Sequence, residues 1–127
     1  MYNILVVDDS STIRKIIARC ISHTQIPVGS LFEASDGEEA LAILNDQKIH
    51  LVMTDINMPK MNGLELLAKL KGNERWKDVP VLLITTEGRV DTVVEAANKG
   101  AAGYVKKPFT AGDIQAKVEP LLAGLSA

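Results

Sequence analysis

Short runs of aliphatic and β-branched residues recur along this chain with little polar alternation inside them: Ile4 to Val7, His50 to Thr54, Val81 to Ile84, and a weaker Gly103 to Val105. Such runs predict strands buried on both faces, the pattern of a parallel sheet rather than a half-solvated antiparallel one. Between them the period becomes helical. Ile13, Ile16, Ile17, Cys20 and Ile21 fall on one stripe, and Val90, Val93, Val94 and Ala97 follow the same spacing. Leu64, Leu67 and Leu70 mark a further helix, and Ile114, Val118, Leu121, Leu122 and Leu125 the last. Ser30 to Ser35 reads as a less regular strand, followed by Asp36-Gly37 and a helical Glu38 to Leu44. With it the order is strand then helix, five times over. Alternation of this kind predicts an α/β fold: a doubly wound five-stranded parallel sheet with right-handed crossovers and helices on both faces. Pro120 interrupts the last helical pattern, where a missing N–H and a ring clash predict a kink or an early end.

The chain has 127 residues, of which 46% are hydrophobic, enough for one domain with one core and too little for two. The expected organisation is a single domain over residues 1–127 without linker or repeat, acting as a monomer and without a covalent effector domain. A net charge of −2, with Lys and Arg dispersed, leaves no electrostatic footprint for nucleic acid or an anionic membrane, so neither is expected as a partner. The N-terminus lacks a signal-peptide pattern and no apolar run is long enough to span a bilayer, which predicts a cytoplasmic protein. Cys20 is the only cysteine; its place on an apolar stripe predicts a buried thiol rather than a reactive one. His23 and His50 lack metal-ligand spacing, and Trp76 reads as loop packing.

In open α/β sheets, ligands bind beyond the carboxyl ends of the strands. Asp8 and Asp9 directly follow the first strand, Asp55 the third, Thr85 the fourth, and Lys106-Lys107-Pro108 the fifth. Taken singly, Asp8 and Asp9 read as helix capping before Ser10, Asp55 as a turn residue, Thr85 as strand-end packing and Lys107 as a solvated lysine. Together they deliver three carboxylates, a hydroxyl and an ammonium to one edge. Close carboxylates repel unless a cation lies among them or some stay protonated, and hard oxygen ligands favour magnesium. A carboxylate, a cation, a lysine and a hydroxyl compose a phosphoryl-transfer set.

Val-Val-Asp8-Asp9-Ser, Thr54-Asp55-Ile-Asn57-Met-Pro59-Lys-Met-Asn-Gly63, Thr85-Thr86-Glu87 and Tyr104-Val-Lys-Lys107-Pro108-Phe resemble the receiver domain of two-component response regulators, in particular the stand-alone chemotaxis kind, in order and spacing over essentially the whole chain. That resemblance implies the flavodoxin-like (βα)5 strand order 2-1-3-4-5. It implies that Asp55 is the phosphoacceptor, supplied by a histidine kinase or by acetyl phosphate, and that Asp8, Asp9, Asp55 and the backbone carbonyl of Asn57 hold Mg2+, with Mn2+ as an alternative. Thr85 and Lys107 would bind phosphoryl oxygens, with a cis peptide before Pro108. Thr85 and Tyr104 would form the switch, Asn57 and Glu87 would tune hydrolysis, and the face from Arg89 to Lys99, Gly103 to Lys107 and Ala111 to Glu119 would respond. Thr86 is bulkier, and Lys106 more polar, than is common at their positions in this family.

The activity so implied is signalling, with the domain assisting its own phosphoryl transfer and dephosphorylation rather than acting as an ordinary enzyme. Expected partners are a chemotaxis-type histidine kinase, the flagellar motor switch protein and a phosphatase. One rival is a phosphorelay intermediate that passes the group to a histidine phosphotransfer protein. Another is a magnesium-dependent aspartyl-phosphate hydrolase, disfavoured because Asn57 cannot serve as the acid two residues after the nucleophile. A flavin-binding flavodoxin is disfavoured by the acidic edge and the lack of a phosphate-cradling loop after the first strand.

Overall fold

The computed structural model describes residues 1–86 and 90–124. Glu87 and Leu125 therefore lie outside the described residues. Five strands, β1 (Tyr2–Val7), β2 (Val28–Ala34), β3 (Leu51–Thr54), β4 (Val81–Thr85) and β5 (Gly103–Lys106), alternate with five helices, α1 (Ser11–Ser22), α2 (Gly37–Asp46), α3 (Gly63–Lys71), α4 (Val90–Asn98) and α5 (Ala111–Ala123). The strands form one parallel sheet in the order β2-β1-β3-β4-β5, as expected for a doubly wound, flavodoxin-like fold.

Strand pleating explains why the apolar runs show no alternation. Leu5 and Val7 of β1 pack with Val52, Val81 and Leu83 beneath α2, α3 and α4, while Ile4 and Val6 pack with Leu51, Met53, Leu82 and Ile84 beneath α1 and α5. Both faces of the three central strands are covered, so both residue parities must be apolar. The less regular strands are the two at the edges. β2 leaves Gly29 and Ser30 exposed, and β5 exposes Tyr104 and Lys106.

Local chemistry starts the helices where the periodicity does. Ser10 caps α1 by accepting from the Ile13 N–H at 3.2 Å, and Asp36 caps α2 by accepting from Glu39 at 2.9 Å. Reciprocal capping boxes, Asn62 with Glu65 and Thr110 with Asp113, open α3 and α5.

Pro120 does not end α5, which continues to Ala123. Val118 and Leu122, buried on either side of it, hold this last turn against the sheet, and that packing outweighs the lost hydrogen bond. Cys20 is half-buried against the α1/α5 side of the core rather than enclosed, and burial raises its thiol pKa. Trp76 packs at the edge of the α2/α3 side, with the Arg75 guanidinium 5.5 Å from its ring centre. His50 precedes β3, where its Nδ1 accepts the Asn3 N–H at 3.0 Å, and His23 is the exposed C-cap of α1.

Leu67 is fully enclosed between α3 and the sheet. Leu67→Ala is expected to lower unfolding stability in urea by about 2–5 kcal/mol, the range for deleting a buried leucine side chain. A loss below about 1 kcal/mol would show that this side of the core collapses around the gap.

Candidate functional site

Parallel register brings the acidic residues together. Val7 pairs with Thr54, so the chain leaves β1 and β3 at the same level, and the Asp55 N–H donates to the Val7 carbonyl at 2.9 Å. Asp8 and Asp55 are both buried, while Asp9 is exposed. Each of the three offers a carboxylate oxygen within 4.8 Å of the others. An all-oxygen set this close suits a hard divalent cation.

Lys107 supplies positive charge to the same volume. Its Nζ lies 2.9 Å from Asp8 Oδ2 and 3.5 Å from Asp55 Oδ2, reaching in from just beyond β5. The Lys107 N–H donates to the Thr85 carbonyl at 2.9 Å, fixing the base of the lysine to the end of β4, and the Lys107–Pro108 peptide is cis as expected. Asp8 Oδ1 accepts from the Ser10 N–H and Asp55 Oδ1 from the Ile56 N–H, at 2.9 and 2.8 Å. Both carboxylates are thus oriented by the main chain. Ser10, and neither aspartate, is the cap of α1.

Burial raises the Asp55 pKa above its ordinary value; Lys107 opposes the rise and the Asp8 carboxylate adds to it. Thr85 is buried at the end of β4, with Thr86 exposed beside it, and Asn57 is exposed in the loop after Asp55. Tyr104 is 38% exposed, more open than a tyrosine closing the core would be. It stands with Thr85 on the lining of an apolar cavity of about 50 Å³ under α4.

Spacing did not reveal the role of Gly63. A Cβ there would overlap the Asp55 carbonyl oxygen and lie 2.9 Å from the Ile56 Cα. Its N–H donates to the Ile56 carbonyl at 2.8 Å, so the start of α3 rests directly on the backbone behind Asp55. Lys60, at a positive φ of 66°, turns this loop toward α2, where its ammonium lies 3.8 Å from Asp36.

The family model for the response regulator receiver domain matches residues 4–119. The chain belongs to this family. Among curated relatives, the chemotaxis protein CheY of Pseudomonas aeruginosa is 42% identical over 118 residues, spanning 93% of this chain and 94% of that protein. A CheY homolog of Campylobacter jejuni is 39% identical over 94% of this chain and 91% of its own length. Among solved structures, CheY4 of Vibrio cholerae superposes with a TM-score of 0.83 at 30% identity, covering 96% of this chain and 99% of that one. The CheX–CheY–BeF3–Mg2+ complex of Borrelia burgdorferi provides a match with a TM-score of 0.84 at 28% identity, covering 95% and 89%. This receiver is therefore of the CheY chemotaxis type. No helix among its described residues is long and apolar enough to cross a membrane.

Because the folded chain binds the Asp55 proton more tightly than an unfolded chain, stability falls as pH rises from the ordinary aspartate value of 3.8 through the raised folded value. Ionised Asp55 therefore destabilises the receiver above that window. Without divalent cations, Asp55→Asn is expected to be more stable than the parent at neutral pH, with the difference shrinking on acidification through the window. Urea unfolding at a series of pH values measures it, and a difference independent of pH would contradict the assignment.

Proposed function

We propose that this receiver is a phosphorylation-driven switch in which Asp55 takes a phosphoryl group from the phosphohistidine of a chemotaxis-type histidine kinase, or from acetyl phosphate. The observation that carries the reading is the convergence of three carboxylates and Lys107 at the edge formed by the ends of β1, β3 and β5. Attack by an Asp55 carboxylate oxygen forms the new P–O bond as the bond from phosphorus to the donor nitrogen or oxygen breaks, and the donor leaves with that electron pair. Asp8, Asp9, Asp55 and the Asn57 carbonyl would hold Mg2+, or Mn2+ in its place. The cation would supply neutralisation of charge on the phosphoryl oxygens. The oxygen-only donor set fits this role.

Lys107 is placed to exchange its contact with Asp8 for a phosphoryl oxygen, since its ammonium already lies between the two buried carboxylates. The Thr85 hydroxyl would take a second oxygen. Charge stabilisation by groups held close to the acceptor is the main catalytic contribution expected of such a site. Asn57, exposed beside Asp55, would tune water attack on the phosphorylated carboxylate together with Glu87, which lies outside the described residues. The domain is not an ordinary enzyme in this reading; it assists its own modification and reset.

Thr85 and Tyr104 would transmit the event. Both border the cavity lined by Ala96, Ala97 and Gly103, so a hydroxyl drawn toward the phosphoryl group frees space toward which the tyrosine can turn. The face of α4, β5 and α5 would change with it, and the partner it would bind is the flagellar motor switch protein, with a CheX-type phosphatase ending the signal. The switch works only to the extent that phosphorylation favours one of two existing arrangements. A cytoplasmic receiver domain acting as a monomer would suit such a switch.

Incubation with acetyl phosphate and Mg2+ is expected to add the mass of one phosphate, localised by peptide mass spectrometry to Asp55 and absent from Asp55→Asn. Label retained at another residue in Asp55→Asn at the parental rate would overturn the assignment of the acceptor.

A further inference from the structure

Two of the three carboxylates leave the turn between β1 and α1, and this turn is held from behind by a side chain that the site chemistry does not use. Arg14, in the first turns of α1, donates from Nη1 to the main-chain carbonyl of Asp8 at 2.6 Å and from Nε to Glu33 Oε1 at 3.0 Å. Its side chain is only 16% exposed. Glu33 lies in β2, in register with Val6 of β1, and its second oxygen takes the Lys15 ammonium at 2.7 Å. The hydrogen bond from Lys15, joined by that from Arg14, keeps Glu33 ionised by lowering its pKa against the opposing effect of burial. The guanidinium therefore has a fixed, charged anchor on one side and the Asp8 carbonyl on the other.

That carbonyl belongs to the peptide joining Asp8 to Asp9. Holding its oxygen sets the peptide plane, and the plane sets the direction in which the Asp9 side chain departs. The preceding peptide is held as well, since the Asp8 N–H donates to the Ala34 carbonyl at 3.0 Å. Asp9 is the exposed member of the cluster, so the direction of its carboxylate depends chiefly on the backbone that carries it.

We propose that Arg14, braced by Glu33, is a positioning residue that fixes the Asp8–Asp9 peptide and thereby organises the cation site. The inference rests on the reading of that site as a divalent-cation site. Arginine suits the task because its planar fork serves two acceptors in one rigid geometry, which a lysine cannot reproduce. The competing account treats Arg14 simply as a positive charge near an acidic cluster, and the two accounts predict opposite signs. Removing a charge that repels the cation would tighten binding; removing a brace would weaken it.

Calorimetric titration of the full chain with Mg2+, without phosphoryl donor, separates them. Arg14→Gln is expected to weaken Mg2+ binding about tenfold, in the range seen when groups that orient metal ligands are removed. Arg14→Lys, which keeps the charge and loses the fork, should also weaken it. Glu33→Gln should do so more mildly and add little on the Arg14→Gln background, as expected for residues acting through one contact. Labelling by acetyl phosphate should then need more Mg2+ for half its maximum yet recover at saturation, with urea unfolding confirming that the variants fold. Unchanged or tighter binding in folded Arg14→Gln and Arg14→Lys would overturn the proposal while leaving the cation site intact. Failure of the parent chain to bind Mg2+ would overturn both.

Discussion

Like charge held at close range is the constraint on which this receiver depends. Carboxylates from Asp8, Asp9 and Asp55 approach within 4.8 Å, two of them buried, and such a group is unfavourable unless compensated. Compensation comes from a distance in sequence but not in space. Lys107 reaches Asp8 and Asp55 from beyond β5, which lies two strands away from β3 across β4. Main-chain N–H groups of Ser10 and Ile56 donate to the Oδ1 atoms of Asp8 and Asp55. Parallel pairing makes this possible, because it brings the carboxyl ends of β1, β3, β4 and β5 to one edge, whereas an antiparallel sheet would send alternate strand ends to opposite sides.

The same arrangement leaves the site poised. Burial favours the protonated form of Asp55, the nearby ammonium favours the ionised one, and the balance responds to any added charge. A phosphoryl group on Asp55 with a cation beside it would alter every charge that Lys107 meets. The structural consequence would pass to the segment just beyond β5 that carries Lys107 and to Thr85 at the end of β4, which its main chain bonds; next to Thr85 lies the small cavity that Tyr104 borders. A packed core does not deform continuously, so a void beside a partly exposed aromatic ring is where a discrete rearrangement is cheapest.

The central strands were readable from the chain because they are covered on both faces, which makes their apolar runs continuous. β2 and β5 were weaker in sequence for the reason that they are edges: each keeps a single fully buried residue, and the pattern thins. The convergence at the sheet edge was legible because Asp8, Asp55 and Lys107 directly follow strands, whereas Thr85 is the last residue of β4 rather than the one after it. What spacing could not show depends on approach in three dimensions. Gly63 matters because the Asp55 backbone passes where a Cβ would stand, and Arg14 because its fork meets Glu33 from another strand. Pro120 does not end α5, which runs on to Ala123 with the buried Val118 and Leu122 on either side of it.

The most direct measurement is a crystal structure with beryllofluoride and Mg2+. The account predicts beryllium bonded to an Asp55 carboxylate oxygen, the cation touching Asp8, Asp9 and Asp55 with the Asn57 carbonyl, and the Lys107 ammonium moved from Asp8 to a fluoride. A cation bound elsewhere, or Lys107 still paired with Asp8 beside an unmodified Asp55, would contradict it.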